Sequence, residues 1–193
     1  MCGLIIQLPL PAHLYVHKVL DSVDTTIDVD CLGSATSNLF YAGEKVPGFP
    51  TALACMEIVD SLNLDLKDKK IAVIGQGMLV GKPVTYLLRE RGLDVETVTR
   101  TTENKDEIIK NADIIISGTG HGKLITGGMI KKGAVLIDAG TSESKGGIVG
   151  DVDLESVKDV AGYLSPVPGG VGPVTVGMLL KNVLKVAQSK NNK

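Results

Sequence analysis

The segment IAVIGQGMLVGKPV, residues 71–84, constrains the fold of this chain more than any other. Four apolar residues lead into Gly75, Gly77 and Gly81, and an apolar pattern with helical spacing begins at Pro83. This order predicts a buried strand, a tight glycine turn and the start of a helix. Such a turn lets the backbone approach a pyrophosphate at a helix N-terminus, so we interpret it as a dinucleotide site. Its G-x-G-x-x-x-G spacing leaves a plain strand–helix turn as the alternative.

The chain behind this turn alternates between short strand-like and short helix-like stretches. The predicted strands are residues 71–74, 95–100, 112–117 and 135–138, and the predicted helices are residues 83–91, 105–110 and 174–186. Short strands that alternate with helices are typical of a parallel sheet with right-handed crossovers. We therefore expect an α/β fold with a Rossmann-like parallel sheet.

The residues before this alternation follow a different pattern. The apolar run GLIIQL, residues 3–8, predicts a buried strand that ends at Pro9. Residues 14–23 have helical spacing, residues 28–48 look irregular, and Thr51 is a candidate cap for the next helix. A buried strand needs neighbours, and few candidates precede residue 71. We therefore expect a second domain whose front part lies outside this sequence.

Composition excludes several classes of partner. The 193 residues are 44% hydrophobic and carry a formal net charge of −2 without a basic block, so nucleic acid and membrane surfaces are not expected partners. No apolar run is long enough to span a bilayer and no secretory signal is visible, so a cytoplasmic location is expected. Cys2, Cys31 and Cys55 lack metal-type spacing. They predict buried thiols in a reducing compartment and no metal site.

Several separated segments together resemble the bifunctional methylenetetrahydrofolate dehydrogenase/methenyltetrahydrofolate cyclohydrolase family. They are IIQLPLP (5–11), DVDCLG (28–33), IGQGMLVGKPV (74–84), IDAG (137–140), GDVD (150–153) and SPVPGGVGPVTVGMLL (165–180). The resemblance implies that residues 1–62 are the remnant of a folate-binding α/β catalytic domain and that residues 63–165 form the NAD(P)-binding domain. Residues 166–193 would be a cleft loop and a C-terminal helix that returns to the catalytic domain and closes it.

The same resemblance implies an activity. Members of this family carry out NADP-dependent oxidation of 5,10-methylenetetrahydrofolate to 5,10-methenyltetrahydrofolate and its hydrolysis to 10-formyltetrahydrofolate. This chemistry belongs to one-carbon metabolism, including purine biosynthesis. The implied partners are tetrahydrofolate derivatives and a second copy of the chain in a homodimer.

The resemblance also implies which residues bind the folate. Gln7 and Asp30 match the folate-contacting glutamine and aspartate, and Pro168, Gly169 and Gly170 lie in the loop that lines the cleft. An aspartate can accept hydrogen bonds from the adjacent donors of an amino-pteridine ring. Taken alone, Gln7 could satisfy backbone groups and Asp30 could hold a turn.

The implied cofactor residues surround the glycine turn and the end of the second strand. They are Gly75, Gln76, Gly77, Val80, Gly81, Arg100, Thr101 and Gly140. A guanidinium and hydroxyls after the second strand suit the 2′-phosphate of NADP. Gln76 stands where the family often has an arginine, and Arg100 could instead be a solvated charge beside Glu103. We therefore expect NADP as the cofactor and keep NAD as a possibility.

The chain departs from the family on the folate side. The family's catalytic lysine follows a tyrosine by four residues, before the IIQLPLP strand. The pairs Tyr15–Lys18 and Tyr41–Lys45 stand elsewhere, so we assign the catalytic lysine to neither. Cys31 replaces a usual glycine. An inactive, truncated dinucleotide-binding module is therefore the alternative function, and a Rossmann dehydrogenase for another small metabolite is a third hypothesis.

Overall fold

A computed structural model describes residues 1–144 and 146–191, and its centre is a five-stranded parallel sheet. The strand order is β2-β1-β3-β4-β7. The sheet strands are β1 Ile71–Ile74, β2 Val95–Val98, β3 Ile114–Ser117, β4 Val135–Asp138 and β7 Tyr163–Ser165, and a small antiparallel hairpin consists of β5 Ser142–Ser144 and β6 Gly147–Val149. The predicted parallel α/β sheet is confirmed. The sequence pattern does not predict β7, because its three residues form a partly exposed edge strand with little apolar pattern.

Helices cover both faces of this sheet. They are α1 Val16–Asp21, α2 Ser34–Tyr41, α3 Pro50–Ser61, α4 Gly81–Glu90, α5 Lys105–Asn111, α6 Leu154–Val157 and α7 Val171–Asn191, with a short 3₁₀ helix at Gly127–Met129. One face packs on α3, α4 and α7 through Val73, Ile114 and Ile116. The other face packs on α5 and α6 through Ile115 and Leu136. Because β1 and β3 are buried on both faces, their sequences are continuous apolar runs.

The predicted buried strand at residues 3–8 is wrong. The only pairing of this run among the described residues is a single parallel bridge between Leu4 and Asp28, and Ile5 and Gln7 are exposed. The run lies at the molecular surface, where Leu4, Ile6 and Leu8 are only half-buried. Without further strands to pair with, an apolar segment of this kind stays extended and irregular.

The helices of the front part also differ from the predictions. Residues 28–48, expected to be irregular, contain α2, and α1 is shorter than the predicted helix over residues 14–23. Thr51 is not the cap of α3, because the helix begins at Pro50 and Phe49 precedes it as the N-cap. Proline at the first helical position needs no hydrogen bond from its nitrogen, which explains this start.

The C-terminal helix α7 is longer than predicted and packs along α3. It runs from Val171 to Asn191, and residues 192 and 193 lie outside the described residues. Met178, Asn182 and Val186 are buried on its inner face. None of the helices in the described part of the chain is long and apolar enough to cross a membrane.

Candidate functional site

The glycine turn after β1 is shaped by close backbone contacts. Gly75 has a φ of +85°, and a Cβ on it would lie 2.8 Å from the carbonyl oxygen of Gly118. A Cβ on Gly81 would overlap the carbonyl oxygen of Gly75. The first turn of α4 therefore rests directly on the end of β1, and both positions require glycine.

The middle of the turn is open. Gly77 is exposed, and a Cβ placed there would lie 3.9 Å from the Gly118 carbonyl oxygen, which is an ordinary van der Waals distance. The Lys82 N–H donates to the Gly77 carbonyl oxygen at 3.1 Å, and Val80 is buried against Gly118. The backbone at Gly77, just before α4, is therefore accessible from solvent, which fits the close approach of a pyrophosphate.

Gln76, the second residue of the turn, is tied to the protein. Its Nε2 donates to the Gly75 carbonyl oxygen at 3.0 Å and to Thr85 Oγ1 at 3.1 Å. Both amide hydrogens are used in these bonds, so the group left for other contacts is the acceptor Oε1. An acceptor cannot hydrogen-bond a phosphate dianion. Gln76 thus lacks the donor function of the arginine that the family often has at this position.

The turn after β2 carries three threonines and an arginine. The Thr99 N–H donates to Thr102 Oγ1 at 3.0 Å, and the hydroxyls of Thr99 and Thr101 are 3.1 Å apart. These contacts close the turn and leave Arg100 exposed at its tip. The exposed guanidinium and the Thr101 hydroxyl are on the β2 side of the glycine turn, where a 2′-phosphate would need donors.

Beyond β3 and β4, two buried acidic side chains organise the loops. Asp138, at the end of β4, accepts hydrogen bonds from the N–H groups of Gly140, Asp151 and Val152 at 2.9–3.1 Å. A Cβ on Gly140 would overlap the carboxyl group of Asp151. Gly140 is therefore needed for packing, whether or not it also touches a cofactor. These contacts give Asp138 a structural role at the end of β4.

The pKa of Asp138 is raised to about 6, mainly because burial removes its carboxyl group from water. The folded protein therefore binds a proton at pH values where the unfolded chain, with a pKa near 3.8, has released it. We expect the free energy of unfolding to fall as pH rises from about 4 to 6, by about 3 kcal/mol from this group. Urea unfolding at several pH values measures this, and Asp138→Asn should flatten the dependence. An identical slope in the variant would contradict the assignment.

The candidate folate residues lie in the front part of the chain. The Leu4–Asp28 bridge places residues 3–8 alongside residues 28–32, so Gln7 and Asp30 follow it on neighbouring segments. Gln7 is exposed, and its Nε2 donates to the adjacent Leu8 carbonyl oxygen at 2.9 Å. Asp30 is half-buried, and burial, assisted by nearby Asp28, raises the pKa of its carboxyl group. Among the residues that the structure describes, neither side chain makes a hydrogen bond to a distant part of the sequence.

The loop after β7 folds back on itself. The Gly170 N–H donates to the Pro166 carbonyl oxygen at 2.8 Å, and a Cβ on Gly170 would overlap Ser165 Oγ. Pro168, which follows a cis peptide bond, and Gly169, with a φ of +104°, are exposed at the loop tip. The tip is therefore accessible to a ligand from solvent.

The lysines and cysteines noted in the sequence include both exposed and buried side chains. Lys18 is exposed with its Nζ 5.2 Å from the centre of the Tyr15 ring, and Lys45 is exposed after α2. Cys31 and Cys55 are buried, but the predicted burial of Cys2 is wrong because that thiol is exposed at the chain start. Across the described ranges, no group of three or more His, Cys, Asp or Glu side chains could hold a metal ion.

Sequence analysis missed two buried polar residues that hold the loops. Asp151 accepts three hydrogen bonds from residues 117–121, at and after the end of β3, and Asn182 on α7 donates to the carbonyl oxygens of Val29 and Gly48. Asp151 lies in the noted GDVD segment, but nothing in its spacing indicates its partners. For Asn182, the available signal was its polar side chain on the inner face of α7.

A family model described as tetrahydrofolate dehydrogenase/cyclohydrolase, NAD(P)-binding domain, matches residues 49–191. Among curated proteins, the bifunctional protein FolD of Hydrogenobaculum sp. (strain Y04AAS1) is 41% identical over 190 residues, which are 97% of this chain and 68% of that protein. FolD of Polaromonas sp. (strain JS666) is 40% identical over 189 residues, which are 96% of this chain and 66% of that protein. The chain thus spans about two thirds of the length of these relatives.

Solved structures give the same match. FolD methylenetetrahydrofolate dehydrogenase/cyclohydrolase from Campylobacter jejuni superimposes with a TM-score of 0.90 at 34% identity, covering 97% of this chain and 67% of that one. The Trypanosoma brucei enzyme, whose structure was solved with NADP cofactor and an inhibitor, gives a TM-score of 0.89 at 34% identity, covering 99% and 68%.

Proposed function

Because the chain belongs to the tetrahydrofolate dehydrogenase/cyclohydrolase family, we propose that it binds NADP and oxidises 5,10-methylenetetrahydrofolate to 5,10-methenyltetrahydrofolate. The observation that carries this proposal is the glycine turn at the end of β1. There Gly81 rests on the Gly75 carbonyl and Gly77 leaves the backbone open to a pyrophosphate. The loop at residues 166–170 and the Asp30 segment supply candidate folate contacts in the same chain.

The proposed reaction moves a hydride from the methylene bridge of the folate, which leaves the methenyl cation. When bound, NADP supplies the nicotinamide carbon that accepts this hydride. The task of the protein is alignment, because a hydride passes only between carbons held in contact. The Gly75–Gly81 turn would hold the dinucleotide, the Asp30 carboxylate would hold the pteridine ring, and the loop tip at Pro168 and Gly169 would cover the bridge.

Hydrolysis of the methenyl bridge is a separate step. Water must be added and protons moved, so the step benefits from a positioned acid or base worth about 10²–10⁴-fold in rate. We assign this role to no residue of the 193, since neither Lys18 nor Lys45 stands at the position that the resemblance gives to the catalytic lysine. For a polypeptide of these residues alone, we therefore expect oxidation to exceed hydrolysis.

The direct test is a turnover assay with methylenetetrahydrofolate and NADP, in which the absorbance of the reduced nicotinamide reports the reaction. The proposal expects reduction that depends on both ligands. Tight binding of NADP without any turnover would favour the alternative, a dinucleotide-binding module without activity.

The proposal also covers the location, the assembly and the metabolic role of the protein. We infer a cytoplasmic homodimer that supplies one-carbon units, including those for purine biosynthesis. Exposed apolar side chains such as Ile5, Val176, Leu180 and Leu184 support association, because surfaces of this kind are usually covered. Light scattering at micromolar concentration tests it, and a clean monomer would contradict the homodimer.

The choice between NADP and NAD should depend on Arg100. Its exposed guanidinium is the cation next to the Thr101 hydroxyl on the β2 turn, and Gln76 has no donor to spare. Arg100→Ala is expected to weaken NADP binding by about tenfold or more, which corresponds to one charge-assisted contact, and to leave NAD binding unchanged. Calorimetric titration measures both, with Lys105→Ala on the exposed start of α5 as the matched control. An unchanged NADP preference would contradict the role of Arg100.

A further inference from the structure

Asp151 is a buried carboxylate that accepts three hydrogen bonds from one neighbouring segment. Its Oδ2 accepts hydrogen bonds from Ser117 Oγ and the Thr119 N–H, both at 2.6 Å, and its Oδ1 accepts one from the His121 N–H at 3.0 Å. All three donors belong to residues 117–121, at and after the end of β3. Burying a carboxylate costs free energy unless its oxygens accept hydrogen bonds. Here the fully buried Asp151 oxygens accept them from neutral donors of one segment.

The position of Asp151 is itself fixed by Asp138. The Asp151 N–H donates to Asp138 Oδ1 at 3.1 Å, and the Val152 N–H donates to Asp138 Oδ2 at 2.9 Å. A Cβ on Gly150 would overlap Asp138 Oδ2 and lie 2.9 Å from the Cβ of Val167. The two acidic side chains therefore join the ends of β3 and β4 to residues 150–152, and Gly150 lies close to Val167 in the loop after β7.

The loop held by Asp151 forms one wall of the glycine turn. The Gly118 N–H donates to the Ile74 carbonyl oxygen at 2.9 Å, and the Gly118 carbonyl oxygen lies against Gly75. In the strand order β2-β1-β3-β4-β7, this wall is on the opposite side of β1 from Arg100. A dinucleotide that crosses the turn with its 2′-phosphate at Arg100 has its nicotinamide half over β3 and β4.

We propose that Asp151 is a positioning residue for the nicotinamide half of the bound dinucleotide. It acts through residues 118–121, whose backbone it fixes, and does not itself touch the ligand. This inference rests on the proposed function. Because Asp151 acts on one side of β1 only, its loss should affect the two halves of the dinucleotide unequally.

The experiment compares NADP with adenosine 2′,5′-bisphosphate, which lacks the nicotinamide half, by calorimetric titration. In Asp151→Asn, either orientation of the amide turns its NH₂ group toward a backbone N–H, so the loop must shift. We expect this variant to bind NADP about tenfold more weakly and the bisphosphate within about twofold of the wild type. Ser117→Ala removes one donor without adding a clash, and it is expected to give a smaller loss in the same direction.

The outcomes separate two levels of failure. Equally weakened binding of both ligands would indicate general loosening of the fold and would overturn the positioning role. Unchanged NADP binding in Ser117→Ala and in a folded Asp151→Asn would overturn it as well. If Asp151→Asn does not fold, Ser117→Ala alone decides between these results. A wild-type chain that binds neither ligand would overturn the proposed dinucleotide site, and the positioning role with it.

Discussion

Gly81→Ala is expected to destabilise the chain by about 3 kcal/mol or more and to abolish measurable NADP binding. The added Cβ would overlap the carbonyl oxygen of Gly75, and neither backbone segment can move without breaking the contact between β1 and α4. Urea unfolding measures the loss of stability, and calorimetric titration measures the loss of binding.

Two further glycines serve as controls for this result. Gly128→Ala should change stability by less than about 0.5 kcal/mol, because no atom of the described residues, its chain neighbours aside, lies within 4 Å of the new Cβ. Gly77→Ala should fold as the wild type does but bind NADP about tenfold more weakly, because the methyl group occupies space that we assign to the pyrophosphate. Wild-type stability in Gly81→Ala would contradict the packing described for the turn.

Asn182→Ala is expected to lower the free energy of unfolding by about 2–4 kcal/mol. The buried amide of Asn182 donates to the Val29 carbonyl at 2.9 Å and to the Gly48 carbonyl at 2.7 Å, so its loss leaves two buried acceptors without donors. Val29 precedes Asp30, and Gly48 lies just before α3. The substitution should therefore also loosen the candidate folate segment.

Lys181→Ala is the matched control on the same helix. Lys181 is exposed beside Asn182, so its truncation should cost less than about 0.5 kcal/mol. Urea unfolding of both variants gives the comparison. Equal stability of the two variants would show that the contacts between α7 and the front segments contribute little.

The central sheet could be predicted from the sequence because its information is local. The apolar runs of β1, β3 and β4 are short and β-branched, and glycine turns and amphipathic helices separate them. Gly75 and Gly81 follow from the same local pattern, since a tight strand-to-helix turn requires residues without side chains. The order of the strands, β2-β1-β3-β4-β7, needed the structure, because the handedness of the crossovers does not determine it.

The front part could not be predicted in the same way. An apolar run such as residues 3–8 becomes a strand only when other strands pair with it, and pairing depends on residues distant in sequence. Here one bridge to Asp28 is the only pairing in the described structure, so the run stays extended at the surface. The helix α2 was missed because its polar sequence, SATSNLFY, has only a weak apolar face.

The buried polar residues of the candidate site needed the structure for a related reason. Asp151 binds donors 30 to 34 residues away, and Asn182 binds acceptors 134 and 153 residues away. A sequence indicates which residues can hydrogen-bond, but the fold decides which donors and acceptors meet. Gln76 is a similar case. The sequence shows that this residue carries no positive charge, but its hydrogen bond to Thr85 needed the structure.

Calorimetric titration of the 193-residue polypeptide with NADP and, separately, with NAD tests the central claim most directly. The account predicts saturable binding of one dinucleotide per chain, tighter for NADP than for NAD, and lost in Gly81→Ala. Absence of heat and of any thermal stabilisation by either dinucleotide at millimolar concentration, in a chain shown to be folded by circular dichroism, would contradict it.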